Sequence, residues 1–257
     1  MNIVIIGTGY VGLVTGVGLA SLGNHVNFLD LDESKISNLS SKKITFYEPG
    51  LEEYFNDDET FNRMSFSSDY GSIEWERIDI VFVCVQTPNN IETNSVDTNF
   101  LESAIKEINN VNNDDLVITV KSTIPPYEIE KVCEKVGMDS SKLTFNPEFL
   151  REGTAVEDFF KPDRIVLGGT DKEKLNKLKE LYSGFDCEII TTDSISSQLI
   201  KYLANTYLPL RLSFVNEATR LIDYSGGNLN DVLKGVGLDN RIGQHYFRPS
   251  PLSLIHI

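Results

Sequence analysis

The stretch GTGYVG places Gly7, Gly9 and Gly12 at the spacing with which a backbone takes up a pyrophosphate. Gly7 permits a tight turn, Gly9 lets the phosphates approach the chain, and Gly12 lets a helix pack closely on a strand. A helix opening here turns its first N–H groups and the positive end of its dipole toward that anion. Asp30 closes a second apolar run, where a carboxylate can accept hydrogen bonds from both hydroxyls of a ribose. The residues that follow, LDES, hold no arginine for a 2′-phosphate, so the local charge favours NAD over NADP. The alternative for Asp30 is to cap a helix starting near Ser34, a task for which Asp32 is better placed. A second concentration of charge lies in NPEFLREGTAVEDFFKPDRIVLGG, residues 146 to 169. Here Glu148, Arg151 and Glu152 stand among Phe149, Leu150 and a proline/glycine frame, directly after a strand-like run. Open α/β sheets bind their ligands at such strand ends.

The elements that must position these groups are visible in the hydrophobic pattern. NIVIIG, HVNFLD, IDIVFVCV, DLVITV, LTFN and RIVLGG predict short buried strands, and residues 10 to 22, 98 to 110 and 172 to 183 predict helices between them. Strands that are apolar throughout and alternate with helices imply an α/β fold over residues 1–192, a doubly wound, mainly parallel sheet covered on both faces. From Ser194 to Tyr224 the pattern becomes helical, with Leu199, Leu203, Leu210, Phe214 and Leu221 on one spacing, Pro209 predicting a kink, and Gly226 and Gly227 offering a C-cap. NLNDVLKGVG predicts a short further helix, so residues 193–250 form a helical region.

Composition narrows the function. The 257 residues are 40% hydrophobic and 24% charged, enough for a sizeable core, and no apolar run reaches the roughly 18 residues of a membrane span. A formal charge of −15 argues against a nucleic-acid surface. The N-terminus runs straight into a strand pattern without a basic leader, which predicts a cytoplasmic protein. Cys84, Cys133 and Cys187 show neither CxxC nor Cys/His spacing, so no disulfide and no metal site is expected. Cys84 alone sits at the ligand edge of a strand, where burial opposes a thiolate.

Together with GTGYVGLVTGVGLA, YEPGLEE at 47 to 53, KST at 121 to 123, KYLANTYLPLR at 201 to 211 and DNRIGQHY at 239 to 246, these motifs resemble the UDP-glucose/GDP-mannose dehydrogenase family. The resemblance runs in order over residues 1 to about 250, and ANTYL with RIGQHY is most similar to members acting on UDP-glucose. It implies a Rossmann-like NAD domain, a long connecting helix that forms a homodimer, and a short helical segment. It further implies oxidation of the C6 alcohol of a UDP-sugar to a carboxylate in two NAD-dependent steps, through a cysteine thioester. By the same resemblance Glu148 is the general base or orients water, and Thr123 places water and cofactor. Lys201 and Asn205, at i and i+4 on one helix face, donate to a developing oxyanion. Tyr10, Val11, Lys35, Thr87 and Glu152 join Gly7, Gly9, Gly12, Asp30 and Thr123 around the cofactor. Phe149, Leu150, Arg151, Arg241, Tyr246 and Ser250 join Glu148, Lys201 and Asn205 around the sugar nucleotide, Arg241 across a subunit boundary. Residue type alone leaves other roles open: an exposed lysine beside a surface asparagine for 201 and 205, a turn threonine at 87, a solvated lysine at 35, a capping glutamate at 152 and a surface cation at 241. His25 and His245 receive no role.

The pattern departs from the family after Ser250. The resemblance implies a glycine-rich loop carrying the nucleophilic cysteine, whereas Pro251 to Ile257 holds neither glycine nor cysteine. The expectation is a cut, with 251–257 a non-native or frayed tail, no C-terminal UDP-binding domain, and a chain that binds NAD without turning over. Dehydrogenases of UDP-N-acetylmannosamine, UDP-N-acetylgalactosamine or GDP-mannose are the enzymatic alternatives. A non-catalytic NAD-binding and dimerising module is the alternative of another kind.

Overall fold

The computed structural model describes residues 1–90, 95–245 and 247–250; Tyr246 and the tail 251–257 lie outside the described residues. The chain divides into two units, Met1–Leu199 and Ile200–Ile257. In the first, strands β1 (Asn2–Ile6), β2 (His25–Leu29), β3 (Met64–Ser67), β4 (Ile80–Val83), β7 (Val117–Val120), β8 (Leu143–Phe145), β9 (Arg164–Gly168) and β10 (Glu188–Thr192) form one sheet. A two-residue pair, β5 (Asn89–Asn90) with β6 (Ser95–Val96), stands apart from it.

The sheet order is β3-β2-β1-β4-β7-β8-β9-β10. From β3 to β8 every pairing is parallel. β9 then meets β8 antiparallel, with Phe145 opposite Gly168, and β10 runs parallel to β9. The chain winds one way from β1 through β2 to β3 and the other way from β4 onward, so a crevice opens where the carboxyl ends of β1 and β4 lie side by side. Around the sheet run α1 (Tyr10–Ser21), α2 (Glu33–Ser40), α3 (Leu51–Asn56), α4 (Asp58–Phe61), α5 (Asn99–Asn109), α6 (Pro126–Val136), α7 (Ala155–Phe160) and α8 (Lys172–Leu181).

Alternate strand residues feed two separate cores. Ile3, Ile5, Phe28 and Phe82 bury against α1 and Leu51, while Val4, Ile6, Val81, Val83 and Val120 bury against Leu101 and Ile105 of α5 and Ile129 of α6. Strands apolar on both faces are what a doubly covered parallel sheet requires. The predicted strands are present. β3 and β10 were not anticipated: MSFS carries two apolar residues with only Met64 buried, and EIITT carries two with none fully buried. The long predicted helix is α9 (Ser194–Ser225), with Pro209 inside it. Its first turn stays with the sheet: Ser197 is fully buried, and a Cβ on Gly168 would fall 2.0 Å from its hydroxyl. The division between the two units falls inside α9, after Leu199.

In the second unit Gly226 adopts φ +72° and the Gly227 N–H reaches back to the Ile222 carbonyl at 3.0 Å, closing α9. Asn228 then caps α10 (Leu229–Gly237) through the Asp231 N–H. Val215, Ile222, Leu233 and Phe247 make a small core. Arg211 donates to the Ile242 carbonyl at 2.8 Å, and the Asn216 amide pairs with the Ser250 backbone through its Nδ2 (2.9 Å) and Oδ1 (3.1 Å).

Candidate functional site

At the β1/β4 crevice, Gly7 takes φ +95°, and a Cβ there would stand 2.7 Å from the Cys84 carbonyl oxygen. A Cβ on Gly12 would fall 1.9 Å from the Gly7 carbonyl, so this first turn of α1 closes only without one. Gly9 is different: no heavy atom lies within 4 Å of where its Cβ would be. Gly9 also precedes α1 without any side-chain cap, so no capping side chain satisfies the first N–H groups of the helix beside that open space. That space suits a phosphate.

Asp30 lies at the edge of this cradle. Its Oδ2 accepts from the Thr8 N–H and hydroxyl, both at 2.8 Å, its Oδ1 from the Asp32 N–H at 3.0 Å, and Lys35 Nζ stands 3.8 Å away. Burial works to raise the Asp30 pKa, but Thr8, Asp32 and Lys35 outweigh it and hold the carboxylate below its ordinary value. Asp32, in turn, caps α2 by accepting from the Ser34 and Lys35 N–H groups. The capping task therefore falls to Asp32, and Asp30 keeps accepting capacity for a ribose. Tyr10 and Val11 form the half-buried first turn of α1. A dinucleotide fits the cradle: open space at Gly9, uncapped donors behind it, and an anionic acceptor beside it.

The other strand ends are cross-linked. The Thr87 hydroxyl donates to the Thr123 carbonyl at 2.7 Å, joining the turns after β4 and β7. Lys121, buried at the end of β7, donates to Asn146 Oδ1 at 2.9 Å; the buried Tyr182 hydroxyl donates to the same oxygen at 2.7 Å, and Asn146 Nδ2 donates to the Val166 carbonyl at 3.0 Å. Asn146 is thus immobilised immediately before the charged loop. Within that loop Glu148 Oε2 accepts from the Leu150 N–H at 2.7 Å, and the Arg164 guanidinium lies 3.6 Å from the Phe149 ring centroid. Arg151 pairs with Asp158 through its backbone N–H and its guanidinium. The far end of the loop is tied by Glu48, whose carboxylate accepts from the N–H groups of Gly153 and Ala155, both at 2.8 Å.

The structure therefore gathers Gly7, Gly9, Gly12, Asp30 and Lys35 at one place, joins Thr87 to Thr123, and holds Glu148 to Glu152 on one braced loop. In the second unit Lys201 and Asn205 lie one turn apart on α9, the lysine buried rather than exposed. Arg241 pairs with Asp239 at the surface and Ser250 is held by Asn216. Four supporting residues received no role from the sequence: Thr8, Glu48, Asn146 and Arg164. Glu48 lies inside YEPGLEE, so the motif was visible and its partners were not.

The thiols are set against ionisation. Burial pushes Cys84 up to about 12, with the Lys121 ammonium opposing and Glu148 assisting, and burial pushes Cys133 up to about 11. Cys187 is also raised, first by burial and then by Asp186. Among the described residues no group of His, Cys, Asp and Glu could hold a metal ion, and no helix is long and apolar enough to cross a membrane.

Comparison with known proteins agrees with this geometry. Residues 1–186 match the NAD binding domain of the UDP-glucose/GDP-mannose dehydrogenase family, and residues 195–252 match its central domain. A UDP-glucose 6-dehydrogenase from Rickettsia felis is 40% identical over 256 residues, covering 98% of this chain and 57% of that protein. One from Bacillus subtilis is 37% identical, covering 96% and 57%. Among solved structures, a UDP-glucose dehydrogenase from Pyrobaculum islandicum superposes with a TM-score of 0.86 at 36% identity, covering 96% of this chain and 58% of that one. A GDP-mannose dehydrogenase from Pseudomonas aeruginosa gives 0.83 at 27%, covering 97% and 60%. The chain thus spans a little over half the length of these relatives. With the glycine cradle, Asp30 and the braced 146–154 loop in place, the chain belongs to the UDP-glucose/GDP-mannose dehydrogenase family.

Proposed function

We propose that this chain is the NAD-binding and central part of a UDP-glucose 6-dehydrogenase, a cytoplasmic homodimer that oxidises the C6 alcohol of UDP-glucose to the carboxylate. The observation that carries the cofactor half is the cradle: Gly9 open to a pyrophosphate and Asp30 held as an acceptor beside it. UDP-glucose is favoured over GDP-mannose by the relatives' identities, 36% for the UDP-glucose dehydrogenase structure against 27% for the GDP-mannose one.

Bound NAD supplies the hydride acceptor. The chain's own groups orient and move protons. Gly7, Gly9, Tyr10, Val11 and Gly12 hold the pyrophosphate, Asp30 and Lys35 the ribose side, and Thr87, Thr123 and Glu152 the nicotinamide side. Glu148, on the braced loop, takes the hydroxyl proton of the alcohol directly or through a water that it orients. Phe149, Leu150 and Arg151 line the sugar-nucleotide side, where the Arg151–Asp158 pair keeps the loop in shape. Lys201 and Asn205 donate to an oxyanion from one face of α9, and Arg241 and Ser250 bind the sugar nucleotide. The thioester step needs a thiolate, and Cys84, Cys133 and Cys187 are all held protonated at neutral pH. The 257-residue chain therefore binds NAD and does not complete the oxidation by itself.

Calorimetric titration with NAD and NADP tests the cofactor assignment. NAD binds and NADP binds more weakly; Asp30→Ala weakens NAD by about tenfold or more, the cost of losing hydrogen bonds to a charged acceptor, and narrows the preference. Tighter binding of NADP than of NAD by the unaltered chain contradicts it.

A further inference from the structure

Glu48 is a buried carboxylate, 4% exposed, on a segment that belongs to neither the glycine-rich loop nor the 146–154 loop. A carboxylate taken out of water needs donors, and Glu48 finds two of them more than a hundred residues along the chain. The Gly153 and Ala155 N–H groups sit on separate oxygens, each at 2.8 Å, so both lobes of the carboxylate are committed to the end of the charged loop. Gly153 itself stands at φ +88°, a turn whose geometry this contact fixes. On its other side the segment meets α1: the Phe46 and Tyr10 rings are 5.7 Å apart, and the Tyr10 hydroxyl is buried. Burial and then the charge of Glu48 push the pKa of that hydroxyl up. Gly50, at φ +80°, turns the chain beside Val156 of α7, and Leu51 is buried against the same core as α1 and α7.

We propose that Glu48 is a positioning residue that couples the two loops, so that filling the cradle at Gly9 to Val11 is transmitted through the Tyr10 turn and the Glu48 carboxylate to the Gly153 and Ala155 amides. The proposal rests on the NAD reading above. Its consequence is that cofactor occupancy orders the loop carrying Glu148 and Glu152.

Hydrogen exchange at the Gly153 and Ala155 amides, measured on the 257-residue chain with and without NAD, tests it. In the unaltered chain NAD slows both amides by several-fold or more. In Glu48→Gln the free protein exchanges about tenfold faster at these two positions, as expected for a lost charge-assisted hydrogen bond, and the slowing by NAD disappears while NAD still binds. Phe46→Leu, which removes the ring contact to Tyr10 and leaves the two anchors intact, keeps the free-state protection and loses the slowing by NAD while NAD still binds. A clamp with a structural role alone would show the Glu48→Gln acceleration but no dependence on NAD in the unaltered chain. NAD binding without slowing in the unaltered chain, or slowing that survives in both variants, overturns the coupling. Absence of NAD binding to the unaltered chain overturns the cofactor reading, and the coupling with it; in that case the free-state difference between the unaltered chain and Glu48→Gln still scores the anchor separately.

Discussion

At the scale of single residues, the glycines separate structural from binding roles by what surrounds them. Gly12 has a backbone oxygen 1.9 Å from where a Cβ would go, and Gly9 has nothing within 4 Å. Gly12→Ala must displace the main chain, so it costs at least the roughly 1–3 kcal/mol of overpacking. Gly9→Ala leaves stability within about 0.5 kcal/mol of the unaltered chain, as for a substitution into open space, yet lowers NAD affinity by more than about tenfold by filling the pyrophosphate's place. Thermal unfolding and calorimetry on both variants check the pair; a Gly9→Ala chain that unfolds early, or that binds NAD normally, contradicts the assignment. These glycines and Asp30 were legible in the sequence because their roles follow from local spacing. Glu48, Asn146 and Arg164 were not, since each acts on the charged loop through contacts that exist only once distant strands are side by side.

At the scale of elements, the strands could be read because a doubly covered sheet leaves no polar face, so each appears as an unbroken apolar run. The exceptions, β3 and β10, are the two edge strands, with Ser65 and Thr191 exposed. The reversal of β9 against β8 had no sequence signature, since direction depends on the path of the connecting chain. In α9 the helical spacing was legible, but which face would be buried was not. Leu203, Tyr207, Leu210, Phe214, Leu221 and Tyr224 are all more than half exposed, spaced by fours and threes apart from a break at Glu217. An exposed apolar seam of this spacing is the face that the proposed homodimer would bury. Light scattering is expected to give a dimer, and Leu210→Asp with Phe214→Asp a monomer that still binds NAD. A monomer in the unaltered chain at high concentration, or a dimer that survives both substitutions, contradicts the role given to this face.

At the scale of the whole molecule, two units share one long helix: a cofactor-binding sheet domain matched along most of its length by the family, and a helical unit matched to the family's central domain. The formal charge of −15 means that an anionic dinucleotide must be held by local donors, as the uncapped turn at Gly9 offers, and not by a general positive field. Burial raises the pKa of every thiol, so on the proposed reading hydride acceptance would not be followed by thioester formation in this chain. The most direct measurement is a titration of NAD into the 257-residue chain in the presence of UDP-glucose, with heat and NADH absorbance followed on the same sample. Saturable NAD binding with no accumulation of NADH is the predicted result. Absence of NAD binding, or sustained production of two NADH per sugar, would contradict the account.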